Sequence, residues 1–163
     1  MILGITGHRP PTLKIPYETP SPGYEKLYKA VVNKFNELSP SKIISGLAQG
    51  SDQIACWVAI ELNIPYIAAL AGEGQESLWP DDAKRKFYHL LNQAEKVVKV
   101  SQEKVSNKAY FNRDKWIVDF SDNLLGIWNG QETGGTYYTI KYAKTKQNYQ
   151  IHILNPHEII CGE

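Results

Sequence analysis

The chain has 163 residues, 42% of them hydrophobic and 21% charged, which suits one soluble domain able to bury about two thirds of its unfolded surface without staples. Its 18 Lys and Arg against 17 Asp and Glu leave a net charge of +1, so a protein held to nucleic acid by a large positive field is not expected. Two cysteines, Cys56 and Cys161, support neither a disulfide framework nor a four-ligand zinc site.

Ile2 to Thr6 predicts a first strand, short and apolar, stopped by Gly7. The start has no basic region ahead of an apolar stretch, and no apolar run approaches the roughly 18 residues of a membrane span. Neither signal peptide nor membrane contact is expected, and the cytoplasm is the expected location. Residues 7–23 carry five prolines, at positions 10, 11, 16, 20 and 22, and predict a long irregular loop of the kind that tends to carry function. A helix follows from Gly23, with Tyr24, Leu27, Tyr28, Val31, Val32, Phe35 and Leu38 on one apolar face, and ends at Pro40.

Lys42 to Ser45 is a second strand. The turn Gly46 to Asp52 leads into a helix reaching about Leu62, with Ser51 or Asp52 as its cap, and apolar enough on all sides to be buried. Pro65 to Ala71 reads as a strand covered on both faces. After the polar loop Gly72 to Pro80, Asp81 and Asp82 open a helix that runs to Leu91–Ala94, acidic at its positive end.

Lys96 to Val100 is a fourth strand, and Lys108 to Ser121 a helix with Tyr110, Phe111, Ile117 and Val118 inward. Asn123 to Trp128 is a fifth strand, Asn129 to Gly135 a second glycine-rich turn, Thr136 to about Lys146 a helix, and Gln150 to Leu154 the last strand. Strands alternating with helices imply β-α-β units on a parallel sheet. The expectation is an α/β, three-layer, Rossmann-like doubly wound fold in a single domain spanning 1–163.

In such a sheet, ligands bind beyond the carboxyl ends of the strands, at the switch point. Three turns follow strands, and the fold brings them to one edge. Gly134-Gly135-Thr136 opens a helix, whose unpaired N–H groups and dipole attract an anion; a tight turn capped by Thr136 is the competing reading. Gly130 precedes it in the same turn. Gly46, Ala48, Gln49, Gly50, Ser51 and Asp52 repeat the logic one unit earlier, again against a plain loop and cap. Thr6, Gly7, His8 and Arg9 place a hydroxyl, an imidazole and a guanidinium after the first strand. Arg holds phosphate in a bidentate fork, and His8 suits phosphate donation or acid–base work; a solvated loop is the alternative.

Arg113, beside Asp114, either reaches this pocket or is a surface charge. Asp122 caps its helix or orients a loop. Trp79 and Trp128 are candidate stacking rings, with core packing the competing role. His89, His152 and His157 have no metal-ligand spacing, so no metal site is expected. No Ser-His-Asp set is legible, no catalytic residue is assigned, and no cofactor is required.

Ile5-Thr6-Gly7-His8-Arg9-Pro10, then Ile44 to Asp52, then Gly74-Gln75-Glu76 with Trp79, then Arg113 with Ser121-Asp122-Asn123-Leu124-Leu125, then Gly134-Gly135-Thr136, resemble the SLOG superfamily and, within it, the YpsA/YoqJ-like branch of bacteria and their phages. The resemblance covers nearly the whole chain and adds Gln75 and Trp79 to the candidate site. It implies a Rossmann-like domain that binds nucleotides or derivatives such as ADP-ribose or NAD. Relatives include the Lonely-guy phosphoribohydrolases, the DNA-uptake protein DprA and sensor domains of antiphage systems. The phosphoribohydrolases carry glutamates two and three places after the motif threonine, for N-glycosidic cleavage. Here those places are Tyr138 and Thr139, which cannot do a carboxylate's work.

The leading expectation is therefore a binding module for a nucleotide-type ligand, acting as sensor, regulator or sequestrant. Backbone N–H groups at Gly50-Ser51 and Gly135-Thr136 would hold phosphates with Arg9 and Arg113, and Trp79 or Tyr17 would stack a base. An N-glycosidase using Asp52 or Glu73 is the alternative, and a protein-interaction module a third. Nucleic acid is not expected as a partner, because no basic stripe is interleaved with aromatics. A homo-oligomer is expected from the resemblance, with Tyr28 or Tyr142 facing outward.

Overall fold

The alternation of short apolar runs with amphipathic stretches folds as six parallel strands and their crossover helices. The computed structural model describes residues 1–17 and 20–162; positions 18 and 19 of the expected loop lie outside them. The strands are β1 (Ile2–Gly7), β2 (Lys42–Ser45), β3 (Tyr66–Leu70), β4 (Lys96–Lys99), β5 (Asn123–Ile127) and β6 (Gln150–Leu154). They lie in the order β4-β3-β2-β1-β5-β6, every neighbouring pair parallel. The helices among the described residues are α1 (Pro10–Leu13), α2 (Pro22–Leu38), α3 (Ser51–Glu61), α4 (Asp81–Gln93), α5 (Asn107–Asp119), α6 (Gly135–Ala143) and α7 (Pro156–Cys161). This is the α/β Rossmann-like architecture.

Side-chain alternation along the strands sorts the two faces. Leu3 and Ile5 of β1, Ile43 of β2 and Leu125 and Ile127 of β5 join Leu27, Val31 and Phe35 of α2, Ile54 and Val58 of α3, and Phe87 and Leu90 of α4 in the main core. Ile159 and Ile160 of α7 close that face. On the other face Ile44 and Ala69 pack with Ile117 of α5, and Leu124 with Val118 and with Ile140 of α6. Most of the central strand side chains are fully buried, each worth roughly 1.5–3 kcal/mol for a large aliphatic residue.

Five local features differ from the sequence expectation. The proline-rich loop contains α1, because Pro10 and Pro11 preset its first helical φ angles and Lys14, at φ 57°, closes it in the left-handed region. After β6 the chain forms α7, begun by Asn155, whose side chain accepts from the His157 N–H at 3.0 Å. The cap of α3 is Gly50; Ser51 and Asp52 lie inside its first turn. Helix α6 stops at Ala143 and finishes in turn bonds from Thr145 and Lys146. Phe111, expected inward, is 38% exposed.

Two contacts set how the second layer sits. Asp122 accepts from the Ile2 N–H at 2.7 Å and donates its own N–H to the Ile2 carbonyl at 2.8 Å, which pins the entry to β1 against the end of α5. Gly4 lies directly beneath that helix end: a Cβ there would stand 2.8 Å from Ser121 Oγ and 2.9 Å from Ile117 Cγ2. Gly4→Val is therefore expected to destabilise the protein by about 1–3 kcal/mol through overpacking, read as a lower urea midpoint with an unchanged m-value; an unaltered midpoint would show that α5 can yield.

Candidate ligand-binding site

The strand order reverses between β1 and β5, which are hydrogen-bonded neighbours whose chains leave in opposite directions. That divergence opens a crevice at the carboxyl edge of the sheet. One residue ties its rims together. The His8 N–H donates to the Ile127 carbonyl at 3.1 Å, and the Asn129 N–H donates to His8 Nε2 at 3.1 Å. The His8 carbonyl in turn accepts from both the Ser51 N–H (3.2 Å) and Ser51 Oγ (2.8 Å). Three loops, after β1, β2 and β5, thus meet on one histidine. Gly7 permits this closeness, since a Cβ there would collide with the Ser51 side chain.

Above this knot lies a cavity of about 620 Å³. Thr6, Gly7, His8 and Arg9 line it from the β1 side, Ala48 and Asp52 from the loop and helix after β2, and Gly134, Gly135 and Thr136 from the start of α6. Arg113 enters from α5, with Asn107, Tyr110, Phe111 and Asp114 on the same helix. The space between the two glycine-bearing turns is open rather than filled.

Helix α6 begins without a side-chain cap and without an acidic residue in its first turn. Gly134 takes φ +90°, a conformation that glycine adopts freely. The first N–H groups of the helix therefore face the cavity with their partial positive charge uncompensated by the helix itself. The start of α3 is different. Its Ser51 N–H is already bonded to His8, and the Ala48 N–H is taken by Asp52 Oδ2 at 3.2 Å. Of the two amides expected to hold a phosphate at Gly50-Ser51, that of Ser51 is therefore engaged by protein.

Arg113 is only 4% exposed. Its Nε donates to Asp114 Oδ1 at 2.8 Å, and Nη1 to the carbonyls of Gly46 (3.0 Å) and Ala69 (3.3 Å). Nη2 makes no hydrogen bond among the described residues. Gly46 has to be glycine for this, because a Cβ would fall on the guanidinium. The Tyr110 ring carries both cations of the site, Arg9 at 5.4 Å and Arg113 at 5.5 Å from its centroid, a favourable arrangement for each.

Over residues 3–159 the chain matches the family model YpsA, the YspA SLOG family. The chain belongs to that family. It is 28% identical over 149 residues to the SPbeta prophage-derived protein YoqJ of Bacillus subtilis, covering 81% of this chain and 86% of that one. It is 23% identical over 165 residues to a UPF0398 protein of Bacillus thuringiensis, covering 94% and 89%. Among solved structures it is similar to DNA processing protein A (DprA) of Streptococcus pneumoniae, with TM-score 0.66 at 18% identity. DprA of Helicobacter pylori, whose structure describes a single-stranded DNA binding mode, aligns with TM-score 0.67 at 16% identity. The chain is covered to 98% and 95% in these two, but spans only 53% and 65% of those longer proteins. At such identities the likeness is one of fold.

The remaining sequence candidates of this SLOG chain sit beside the cavity or beneath it. Gln75 is buried and bridges two loops, accepting from the Ala71 N–H at 3.2 Å and donating to the Gly46 carbonyl at 2.8 Å. Gly50, at φ +93°, lets the His8 carbonyl, the Arg9 Cα and the Pro10 ring pass within about 3 Å of its missing side chain. Gln49, Gly50 and Trp79 line a separate hollow, and Gly130 lines neither. Of the two carboxylates weighed for hydrolysis, Asp52 is in the cavity, whereas exposed Glu73 is paired with Lys99. Tyr138 lines the cavity, half exposed, and Thr139 is buried with its hydroxyl on the Gly135 carbonyl at 2.8 Å. No group of three or more His, Cys, Asp or Glu among the described residues could hold a metal ion, and no described helix is long and apolar enough to cross a membrane.

Tyr110 and Asn107 were not singled out as site residues by the sequence motifs. The signal available was helical spacing: Tyr110 precedes Arg113 by three places and Asn107 precedes Tyr110 by three, so all share one face.

Burial pulls the His8 imidazole below its usual range. The amide aimed at Nε2 needs a lone pair there, which assigns the neutral ring with its proton on Nδ1. Burial pushes Asp52 up to about 6, against the pull of Arg113 and with a further push from Asp114. Folding thus favours the protonated acid: the stability this group contributes is full below its ordinary pKa of 3.8 and is lost as pH rises through about 6. The same sign governs anions. Above pH 6 a negative Asp52 opposes any anion in the cavity. Asp52→Asn keeps an acceptor for the Ala48 N–H and is expected to tighten pyrophosphate binding at pH 7.5 by about tenfold, near 1.4 kcal/mol, and to flatten the pH dependence between 5 and 7.5. Calorimetry across that range checks it, and an unchanged slope would exclude Asp52 as its source.

Proposed function

We propose that this SLOG chain binds a nucleotide or nucleotide-derived ligand through its phosphate, in the cavity at the carboxyl edge of the sheet, as a sensor, regulator or sequestrant. The observation that carries the reading is the uncapped α6 N-terminus facing the same 620 Å³ space as the buried Arg113. Bare helix amides and a preplaced guanidinium are complementary to a phosphate in both charge and geometry. Burial in protein spares Arg113 the ordering cost that a free surface arginine would bear on binding.

A second reading, single-stranded DNA as the ligand, is favoured by the likeness of fold to the H. pylori DprA, with its single-stranded DNA binding mode. The exclusion of nucleic acid drawn from net charge is weakened by that likeness, since a local phosphate site can serve a strand as well as a free nucleotide. The N-glycosidase reading rests on Asp52 alone, with Tyr138 and Thr139 where the hydrolases place glutamates.

Calorimetry with AMP, NAD, ADP-ribose and an oligothymidylate separates these readings. Binding of a nucleotide or ADP-ribose is expected, weakened at least about tenfold by Arg113→Met and less by Arg9→Gln, as loss of a charge-assisted hydrogen bond worth roughly 1.5–3 kcal/mol requires. Binding of the oligonucleotide alone would favour the second reading, and release of free base, read by chromatography of the same mixtures, the third. Silence across the panel would remove the proposal.

A further inference from the structure

The charges around the phosphate-facing cavity separate two kinds of phosphate. Among the described residues that line it, four side chains carry charge: Arg9 and Arg113 against Asp52 and Asp114. They are coupled, since Asp52 feels Arg113, Asp114 and Arg9 together. The two carboxylates are also held in place. Asp52 is 7% exposed and accepts from the Ala48 N–H, and Asp114 is anchored through Oδ1 on the Arg113 Nε. The His8 ring is neutral. The lining side chains thus balance to zero when Asp52 is ionised, and the opening of α6 adds a partial charge of about +0.5. This set is matched to a phosphate with one negative charge and not to one with two.

The donors point the same way. Arg113 spends Nε on Asp114 and Nη1 on the carbonyls of Gly46 and Ala69, which leaves a ligand Nη2 alone and not a bidentate fork. Asp114 Oδ2 accepts no hydrogen bond among the described residues and lies 4.0 Å from the place of a Cβ on Gly135. An anion at the first amides of α6 therefore has a carboxylate oxygen beside it. A phosphomonoester brings three terminal oxygens and a charge of about −1.5 to −2 near pH 7. A phosphodiester brings two and a single charge, with a carbon-capped oxygen in place of the third.

Resting on the phosphate reading of this cavity, we propose that Asp114 and Asp52 set its specificity: the site takes a phosphate esterified on both sides and rejects the dianionic terminal phosphate of a monoester. Arg113 and the α6 amides attract either anion, and the two carboxylates turn the second charge away. A free nucleoside monophosphate is thereby disfavoured at neutral pH even where its base and sugar are those of the accepted ligand.

The test is calorimetry of the full chain at pH 7.5 with three probes that share one nucleoside: adenosine, AMP and the methyl ester of AMP. The proteins are the wild type, Asp114→Asn and Asp52→Asn. Each variant removes one negative charge and keeps a carbonyl oxygen for the Arg113 Nε or the Ala48 N–H, and if one fails to fold the other still reads the charge. Wild type is expected to bind the methyl ester at least about tenfold more tightly than AMP, as repulsion of the extra charge by two nearby carboxylates requires. Each variant is expected to cut that preference at least about threefold by gaining affinity for AMP. AMP bound as tightly as its ester by the wild type would overturn the selection and leave the phosphate site standing. A preference that neither variant moves would overturn it too, because contact with the added methyl group would then be its source. Adenosine bound as tightly as both phosphates, or no binding of any probe, would overturn the phosphate reading and this one with it. An oligothymidylate with hydroxyls at both ends reads the source of the diester. Bound more tightly than AMP, it supports the selection with a strand as source; refused where the methyl ester is bound, it supports the selection with a small molecule.

Discussion

A guanidinium removed from water at the edge of a parallel sheet has to be compensated on every side, and much of this site follows from that requirement. An unpaired buried charge costs several kcal/mol. Arg113 meets the cost with one carboxylate and two backbone carbonyls. Each partner constrains something else. The Gly46 carbonyl is available because position 46 has no side chain, and Gln75 holds the same carbonyl from the far side. Asp114 gives Oδ1 to Nε, while its Oδ2 lies beside Gly135 at the start of α6. Tyr110 spreads its π-face between Arg113 and Arg9 and fixes their separation. The second terminal nitrogen of Arg113 and the amides that open α6 are left over, and the residues that carry them line one cavity.

Much of the fold was legible because its signals are local. Short apolar runs such as Ile43-Ile44 and Ala68-Ala69 need cover on both faces, and alternating helices supply it. The two missed helices, α1 and α7, are too short for hydrophobic periodicity to register. They depend on proline at the first turn and, in α7, on an asparagine cap, cues read easily as loop. The cap of α3 was misassigned for a related reason. Ser51 and Asp52 are both good caps by type, but their side chains are drawn to His8 and Ala48, partners fixed only by tertiary structure.

The site was legible in its motifs and not in their division of labour. The turns after β1, β2 and β5 were expected to converge and do so geometrically. Yet Ser51, Gln75 and Gly46 build the walls, Gln49, Gly50 and Trp79 face a different hollow, and Thr6, Arg9, Arg113 and Gly134 to Thr136 line the cavity itself. A glycine in a motif reads the same whether it admits a ligand or admits a neighbouring arginine. Only the identity of the atom that would meet its missing Cβ tells the two apart.

The contact between Gly7 and Ser51 bears on how a lineage of such chains can drift. Any side chain at position 7 and the existing one at position 51 would claim the same volume, while the Ser51 hydroxyl is also one of the clasps on His8. Neither position can accept a larger residue alone without loosening the meeting of three loops. Substitutions there are tolerable only as coupled changes, so the two positions, far apart in the chain, are expected to change together or not at all.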